Sequence, residues 1–284
     1  MRKTIQGKNQ KSELGFRYRG LRPTRLENLT DTIFGFIVTL LVISSEVPKN
    51  YLELQSSMYS FIGFVFCILL LLGIWNNHRV FFLHYGLQDG KIRVLNILFL
   101  FILLFYVYPL KYLFSYLGTS MYVQIKLSLG DRSESLLHVV DNLKQSHLEI
   151  AQWEDIMIRF GLGLFCIYLI LLLMHLQAYK KRKILKLNKK EKYLTKTTIG
   201  SYIILVLITV ISMMIVWIFS GEYASLSGLV YVMIPFVLFL NKKIRQKRYN
   251  KKKKKSEEVL NDNNIEINLP PVEDSTTSDL NKTD

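Results

Sequence analysis

Polar and ionisable side chains interrupt the first apolar stretch of the chain, RLENLTDTIFGFIVTLLVISSEVP, which runs from residue 25 to residue 48. Arg25, Glu27 and Asp31 lie at its start, and Thr39 lies in the middle of its apolar run. Polar groups in a membrane-spanning helix usually face a bundle interior or water, because exposing them to lipid is costly. The stretch is therefore unsuited to a helix that is surrounded by lipid on all sides.

The carboxylates at the start of this stretch allow two interpretations. In the first, Arg25 or a basic residue of another helix pairs with Asp31 and keeps its carboxylate ionised. In the second, Asn28 or Thr30 caps the helix, and the acids occupy a first turn where the helix dipole favours negative charge. Spacing alone leaves both interpretations open.

An apolar stripe follows the charged start. Phe36, Leu40 and Ile43 are spaced at i, i+4 and i+7 and therefore share one helix face, and Thr39 borders that face. Such a stripe ordinarily packs against another helix. Its period alone does not distinguish that packing from any other use of the same face.

The whole composition predicts the elements that must position these residues. The chain has 284 residues, a formal net charge of +15 and 50% hydrophobic residues, which suits apolar helices in lipid flanked by basic loops. A helix needs about 20 apolar residues to span the hydrocarbon. We therefore predict an all-α integral membrane protein without a soluble domain, whose six transmembrane helices form a domain over 26–245, at about 27–46, 56–77, 93–114, 155–178, 198–219 and 222–241.

The distribution of Lys and Arg predicts the orientation of these helices. Thirty of these residues fall in the segments 1–25, 79–93, 180–196 and 242–255, and four fall in the connections on the other side. The basic segments and the segments with few Lys or Arg alternate along the chain, so successive connections lie on opposite sides of the membrane. This alternation requires six spans, with a basic cytoplasmic N-terminus over 1–25 and a cytoplasmic C-terminus. The protein is accordingly expected in the plasma membrane.

Two segments outside the spans carry their own predictions. The tail, 246–284, is basic at RYNKKKKK and then acidic, so we expect a disordered segment whose basic run either binds anionic lipids or acts as a topology signal. In the outer connection, 115–153, apolar residues at helical spacing predict a short helix on the membrane surface. These residues are Leu136, Leu137, Val140 and Leu143.

Several chemistries find no support in the sequence. We find no nucleophile elbow, phosphate-binding loop or HExxH string, so we do not expect an enzyme. His84, His138 and His147 lack partners at metal-ligand spacing, and we expect no metal, no cofactor and no nucleic-acid partner. Cys67 and Cys166 fall in separate predicted spans, where both are most simply packing residues.

The first stretch resembles a known family. Arg25-x-x-x-Leu29-Thr30-Asp31, followed by an Ile-Phe-Gly-x-x-x-Thr-Leu-Leu-Val run, is similar to the first helix of the transmembrane protein 175 family, whose signature is Arg-x-x-x-Phe-Ser-Asp. These proteins are endolysosomal and prokaryotic potassium channels. The resemblance covers residues 25–112, and the later spans match it only in number and hydrophobicity.

Other residues match the family in the same order along the chain. Trp75, Asn77 and His78 resemble its Trp-x-Asn-His ending of the second span, and Asn96 and Pro109 lie where it has an asparagine and a proline. The resemblance implies that Arg25, Asp31, Asn77 and His78 form a polar cluster, which braces the first helix against the second.

The family also implies a mode of action. Its prokaryotic members are homotetramers of six-span subunits, in which the first helix of each subunit lines one central pore. Matched residue by residue, Phe36, Leu40 and Ile43 would form apolar rings that constrict the pore, and Thr39 would contribute to selectivity. The resemblance thus implies a potassium-permeable cation channel, with K⁺ as the permeant ion and protons as a second candidate.

The chain departs from the family pattern, and other functions stay open. Leu29-Thr30 replaces Phe-Ser, Phe36 stands where isoleucine is usual, and Arg79 follows His78 where many members have a second histidine. A proton-coupled transporter is one alternative, although Pro235 is the only predicted helix break in its favour. A non-conducting sensor or assembly protein is the other, and the bulky Phe36 keeps it open.

Overall fold

The structure is a computed structural model that describes residues 16–43, 49–59, 61–145 and 150–219, together with isolated positions between 231 and 247. The chain divides into two units, 1–238 and 239–284, and the described residues of the second are helical. Among the described residues of the first unit, all regular elements are helices, in agreement with the predicted fold class. They are α1 (Arg25–Ile43), α2 (Tyr51–Tyr59), α3 (Phe61–Tyr85), α4 (Gly90–Ser128), α5 (Glu134–Gln145), α6 (Ile150–Lys180) and α7 (Lys189–Ile218).

Four of these helices are long and apolar enough to cross a membrane: α3, α4, α6 and α7. Helix α1 has 19 residues and is therefore about 28 Å long, close to the thickness of the hydrocarbon layer. The sixth predicted span, 222–241, lies almost entirely outside the described residues. Within the described part of the chain, the structure is therefore a bundle of membrane-spanning helices.

The second predicted span differs from the observed helix. It was expected over 56–77, whereas α2 ends at Tyr59 and α3 continues to Tyr85. The polar residues after Trp75 lower the local hydropathy, but Phe81, Phe82 and Tyr85 beyond them are buried in the core. Because these rings are buried, α3 continues beyond residue 77, where the hydropathy of the sequence predicted its end.

The outer connection is mostly helical. Helix α4 extends far beyond the predicted end of the third span at 114, and α5 forms where a short helix was predicted. Val123 of α4 packs with Leu136 and Val139 of α5 in a small cluster. The packed face of α5 is formed by Leu136 and Val139, whereas Leu137 is exposed in the subunit.

Helices α3 and α4 approach until their backbones touch. A Cβ on Gly63 would lie 1.9 Å from the carbonyl oxygen of Phe114, and a Cβ on Gly118 would lie 2.5 Å from the Cα of Gly63. Any side chain at either position would collide with main chain of the facing helix. The two glycines are therefore required for this helix crossing.

Candidate functional site

Helix α1 begins at a capping box formed by Thr24 and Glu27. The backbone N–H of Glu27 donates to the Thr24 hydroxyl oxygen at 3.2 Å, and the backbone N–H of Thr24 donates to Glu27 Oε1 at 3.1 Å. This reciprocal pair satisfies two backbone donors at the start of the helix. Thr24 therefore caps α1 in place of Asn28 or Thr30, and Glu27 serves the cap.

The two faces of α1 differ in burial. Phe34, Ile37 and Leu41 are buried against the rest of the subunit, with Ile37 completely inaccessible. The opposite face is open, since Phe36 is 55% exposed and Thr39 is also exposed. One subunit therefore covers only half of α1.

The residues predicted to line a pore lie on or beside the open face. Phe36 and Thr39 are exposed there, and Leu40 is half-buried at its edge. The Thr39 hydroxyl donates to the backbone carbonyl of Gly35 at 3.0 Å, within the helix. Ile43 is the last residue of α1, and its side chain lies outside the described part.

Asp31 contacts α3 through a tryptophan. The indole Nε1–H of Trp75 donates to Asp31 Oδ1 at 2.8 Å, which joins the first turns of α1 to α3. The guanidinium of Arg79 lies 5.3 Å from the centre of the Trp75 ring, within range of a cation–π interaction. Asp31 is thus fixed by an indole donor, and neither an ion pair with Arg25 nor capping describes its contact.

A second polar link lies deeper in the same interface. The Asn96 amide donates to the Thr30 hydroxyl at 2.9 Å, and its carbonyl oxygen hydrogen-bonds to His78 Nε2. The Thr30 hydroxyl in turn donates to the Leu26 carbonyl at 2.9 Å. All three side chains are buried, and the His78 ring stacks on Phe99. This chain of bonds joins α1, α4 and α3.

The remaining predicted mouth residues are not part of these links. Arg25, Leu29 and Asn77 are exposed in the subunit. Neither Arg25 nor Asn77 makes a side-chain hydrogen bond within the part of the chain that the structure describes. The structure therefore brings together Thr30, Asp31, Trp75, His78 and Asn96, and leaves Arg25 and Asn77 apart from them.

Sequence reasoning missed a buried carboxylate, Glu191, at the start of α7. Its side chain has no solvent exposure, whereas those of Arg17 and Arg19 are 41% and 17% exposed. Arg17 donates through its backbone N–H at 3.0 Å, through Nε at 3.1 Å and through Nη2 at 3.1 Å, and Arg19 donates through Nη2 at 2.8 Å. These bonds to Glu191 raise the pKa of Arg17 above its ordinary value.

Glu191 also belongs to the capping box of α7. The backbone N–H of Asn188 donates to Glu191 Oε2 at 2.9 Å, and the backbone N–H of Glu191 donates to Asn188 Oδ1 at 2.7 Å. The pattern Asn-x-x-Glu before an apolar run predicts such a box. This pattern, together with the position of Glu191 as a single acid among lysines, could have identified Glu191 from the sequence.

We call residues 16–20 the strap, because this segment crosses the end of α3 and reaches α7. The Phe16 ring stacks on His84 with centroids 4.3 Å apart, and the backbone N–H groups of Arg19 and Gly20 donate to the Leu83 carbonyl at 3.0 and 3.1 Å. A Cβ on Gly20 would lie 2.2 Å from the Phe82 carbonyl oxygen, so only glycine fits there. The strap ties the chain immediately before α1 to α3 and α7.

Within the described residues, no three His, Cys, Asp or Glu side chains come together as a metal site would require. Cys67 and Cys166 are free thiols in α3 and α6.

Known proteins share this sequence and arrangement. The family described as "Endosomal/lysosomal potassium channel TMEM175" matches residues 25–106, which include α1, α3 and the first part of α4. A potassium channel from Marivirga tractuosa is 35% identical over 239 residues, which make up 81% of this chain and 93% of that protein.

A solved structure is also similar. It is the crystal structure of a threonine-to-alanine variant of the potassium channel MtTMEM175, in complex with a nanobody–MBP fusion protein. The two chains are 32% identical with a TM-score of 0.69, over 84% of this chain and all of the other. With this identity and coverage, and with the family match on the helices that hold the polar links, the chain belongs to the TMEM175 potassium channel family.

Proposed function

We propose that this protein is a potassium-permeable cation channel, with protons as a second permeant ion, whose pore is lined by α1 of each subunit. One observation carries the proposal: α1 buries one face in its own subunit and leaves Phe36 and Thr39 exposed on the other. An open face that carries both a bulky apolar side chain and a hydroxyl group suits the lining of a pore. The name of the Marivirga relative and the solved channel support the same function.

The proposed pore is a homotetramer with the open faces of four α1 helices around one axis. Phe36, Leu40 and Ile43 then form apolar rings. A narrow apolar ring cannot hold a continuous water column, so an ion would lose its hydration there without replacement ligands. A small outward movement or rotation of the helices rewets the ring, and Thr39 supplies hydroxyl oxygens beside it.

In this proposal the two polar links hold α1 in place. The Trp75–Asp31 bond and the Thr30–Asn96–His78 chain both reach α1 near its start, at Asp31 and Thr30. They resist a change of the angle at which α1 meets α3 and α4, and therefore keep the open face directed at the axis. Arg25 and Asn77, which are exposed in one subunit, are available for contacts in the assembled channel.

The proposed subunit has six spans with both termini in the cytoplasm of a plasma-membrane protein. The support is the excess of Lys and Arg in the segments that would face the cytoplasm. The basic run beyond residue 246 is proposed to contact anionic lipids of the inner leaflet. No cofactor is required, because ion permeation needs only the pore.

The direct test is reconstitution of the purified protein into liposomes with an outward K⁺ gradient and a fluorescent flux readout. We expect flux that grows with protein content and persists without any second ion gradient. Flux that saturates with K⁺ concentration and requires a proton gradient would indicate a transporter instead. Absence of flux, with valinomycin-treated vesicles as the positive control, would reject the channel. Mass measurement of the detergent-solubilised particle tests the tetramer separately.

A further inference from the structure

A cavity of about 660 Å³ lies at the start of α1. One wall is the segment that joins the strap to α1 together with the first turns of α1, and the other is the turn before α4 with the first turn of α4. The side chains that matter for its chemistry are Arg22, Arg25, Leu26, Leu29, Gln88 and Arg93. By the predicted orientation, the cavity opens on the cytoplasmic side.

Three arginines line this one cavity: Arg22, Arg25 and Arg93. All three are exposed, and none forms an ion pair with a carboxylate of the described residues. None of the described residues that line the cavity is acidic, and the nearby Glu27 carboxylate accepts the Thr24 backbone N–H of the α1 cap. Three like charges around one space repel each other, so the arrangement favours an anion between them.

The type of cation indicates the type of anion. Guanidinium groups present planar, paired N–H donors that match the oxygens of phosphate, and they are weakly hydrated compared with an ammonium. Gln88 adds an amide donor, and Leu26 and Leu29 provide apolar surface beside the charged groups. This combination suits a phosphate that is attached to an organic group.

The walls of the cavity are fixed before any ligand arrives. Arg22 follows the strap, which is held by Leu83 and Glu191, and Arg25 belongs to the first turn of α1 behind the Thr24–Glu27 cap. Arg93 lies in the first turn of α4, where its backbone N–H donates to the Asp89 carbonyl at 3.0 Å. A site whose arginines come from separately anchored segments loses little freedom on binding.

We propose that this cavity binds a phosphate group at the cytoplasmic base of α1, supplied either by a phospholipid headgroup or by a soluble phosphate compound. This inference goes beyond ion conduction and does not depend on it, because the binding can be measured without flux. A ligand held by Arg22, Arg25 and Arg93 would join α1 to α4 at the start of both helices.

The experiment compares thermal unfolding of the full-length protein in two arms. In the first, sodium pyrophosphate is added in neutral detergent against sodium chloride at equal ionic strength. In the second, nanodiscs of phosphatidylcholine, whose phosphate charge is neutralised by the attached choline, are compared with nanodiscs that also contain phosphatidylglycerol, whose phosphate charge is not neutralised. The variants are Arg22→Gln, Arg93→Gln and the double variant, and Lys190→Gln removes an exposed cation of the same predicted membrane side as the matched control.

We expect a higher unfolding midpoint either with pyrophosphate or with phosphatidylglycerol, and the arm that shows the shift identifies the source of the phosphate. Each arginine variant should weaken the apparent affinity about tenfold or more, because a charge-assisted hydrogen bond is lost. Lys190→Gln should keep the wild-type shift. No shift in either arm, or an equal shift in the double variant, would overturn the proposal. Arginine variants with wild-type midpoints in the absence of probe show that the loss reflects binding and not misfolding.

Discussion

Arg19 Nη2 donates to Glu191 Oε2 at 2.8 Å, although the two residues are 172 positions apart in the sequence. The bond joins the segment that leads into α1 with the first turn of α7. Only four residues, 21–24, separate the strap from α1. The starting position of the proposed pore helix therefore depends on a carboxylate in the first turn of α7.

Replacing Glu191 by Gln should destabilise the protein. The substitution leaves Arg17 and Arg19 without their counter-charge, and breaking one partner of a buried pair costs about 3 kcal/mol or more. The lower end applies here because the Arg17 side chain is 41% exposed and partly solvated. Thermal unfolding in detergent measures the change, and Glu134→Gln on the exposed start of α5 is the control. Equal midpoints for the two variants would contradict a structural role of the strap.

Asn96 should be far more sensitive to substitution than Asn77. Asn96→Ala removes both bonds of a buried amide, so that His78 and Thr30 each lose a partner, at a cost of about 2 kcal/mol. Asn77→Ala changes an exposed side chain and should stay within about 0.5 kcal/mol of wild type. The same unfolding assay compares the two variants. A destabilising Asn77→Ala would instead reveal a contact of this residue with a neighbouring subunit.

Leu40→Asn should raise resting K⁺ leak several-fold. A ring of amides stays hydrated where a ring of leucines excludes water. Liposome flux without any stimulus is the measurement, and Leu207→Asn on the exposed surface of α7 is the matched control, with the same change of side chain. Leak equal to wild type in a folded Leu40→Asn protein would remove this residue from the constriction.

Thr39→Val tests the proposed selectivity layer. The substitution keeps the shape of the side chain and removes the hydroxyl. If the hydroxyl stabilises K⁺ over Na⁺ by about 1 kcal/mol, its loss reduces the K⁺/Na⁺ permeability ratio about fivefold. Thr32→Val is the internal control, because the Thr32 hydroxyl makes the same type of bond, to the Asn28 carbonyl at 2.9 Å, two turns earlier in α1. Bi-ionic flux or current measurements give the ratio. An unchanged ratio in Thr39→Val would assign selectivity to other residues.

Two glycines of α3 should respond in opposite directions to alanine. Gly63→Ala places a Cβ against the Phe114 carbonyl and should cost about 2 kcal/mol or more. Gly73 has open space around its Cβ position, so Gly73→Ala should be neutral, or stabilising by about 0.5 to 1 kcal/mol through helix propensity. Unfolding midpoints of the two variants check this pair. Tolerance of alanine at Gly63 would require α3 and α4 to separate.

The apolar runs predicted the helical class and the approximate place of α1, α3, α4, α6 and α7, because lipid imposes a simple rule on composition and length. The ends of these helices were harder to predict. Lys126 and the polar residues around it hide the continuation of α4 in a hydropathy profile, but the side of α4 that carries Val123 packs against α5. Helix ends outside the hydrocarbon depend on tertiary packing, which no local window contains.

For the site, the sequence named several of the residues but not the bonds between them. The resemblance singled out Asp31, Trp75, His78 and Asn96, and the structure adds which of them bond to one another. The contacts of Arg17 and Arg19 were missed, because a basic residue before a first span is adequately explained by membrane topology. Among the described cations of this segment, only the three-dimensional position of Glu191 distinguishes Arg17 and Arg19 from Arg22 and Arg25.

Gly63 and Gly118 also limit how the bundle can move. Packed helices usually shear past one another through changes of side-chain rotamer at their interface. Where main chain rests directly on main chain, no such adjustment exists, and α3 and α4 must travel as one rigid unit. If the proposed pore opens, α3 and α4 therefore move together, and spectroscopic labels on these two helices should keep a constant separation.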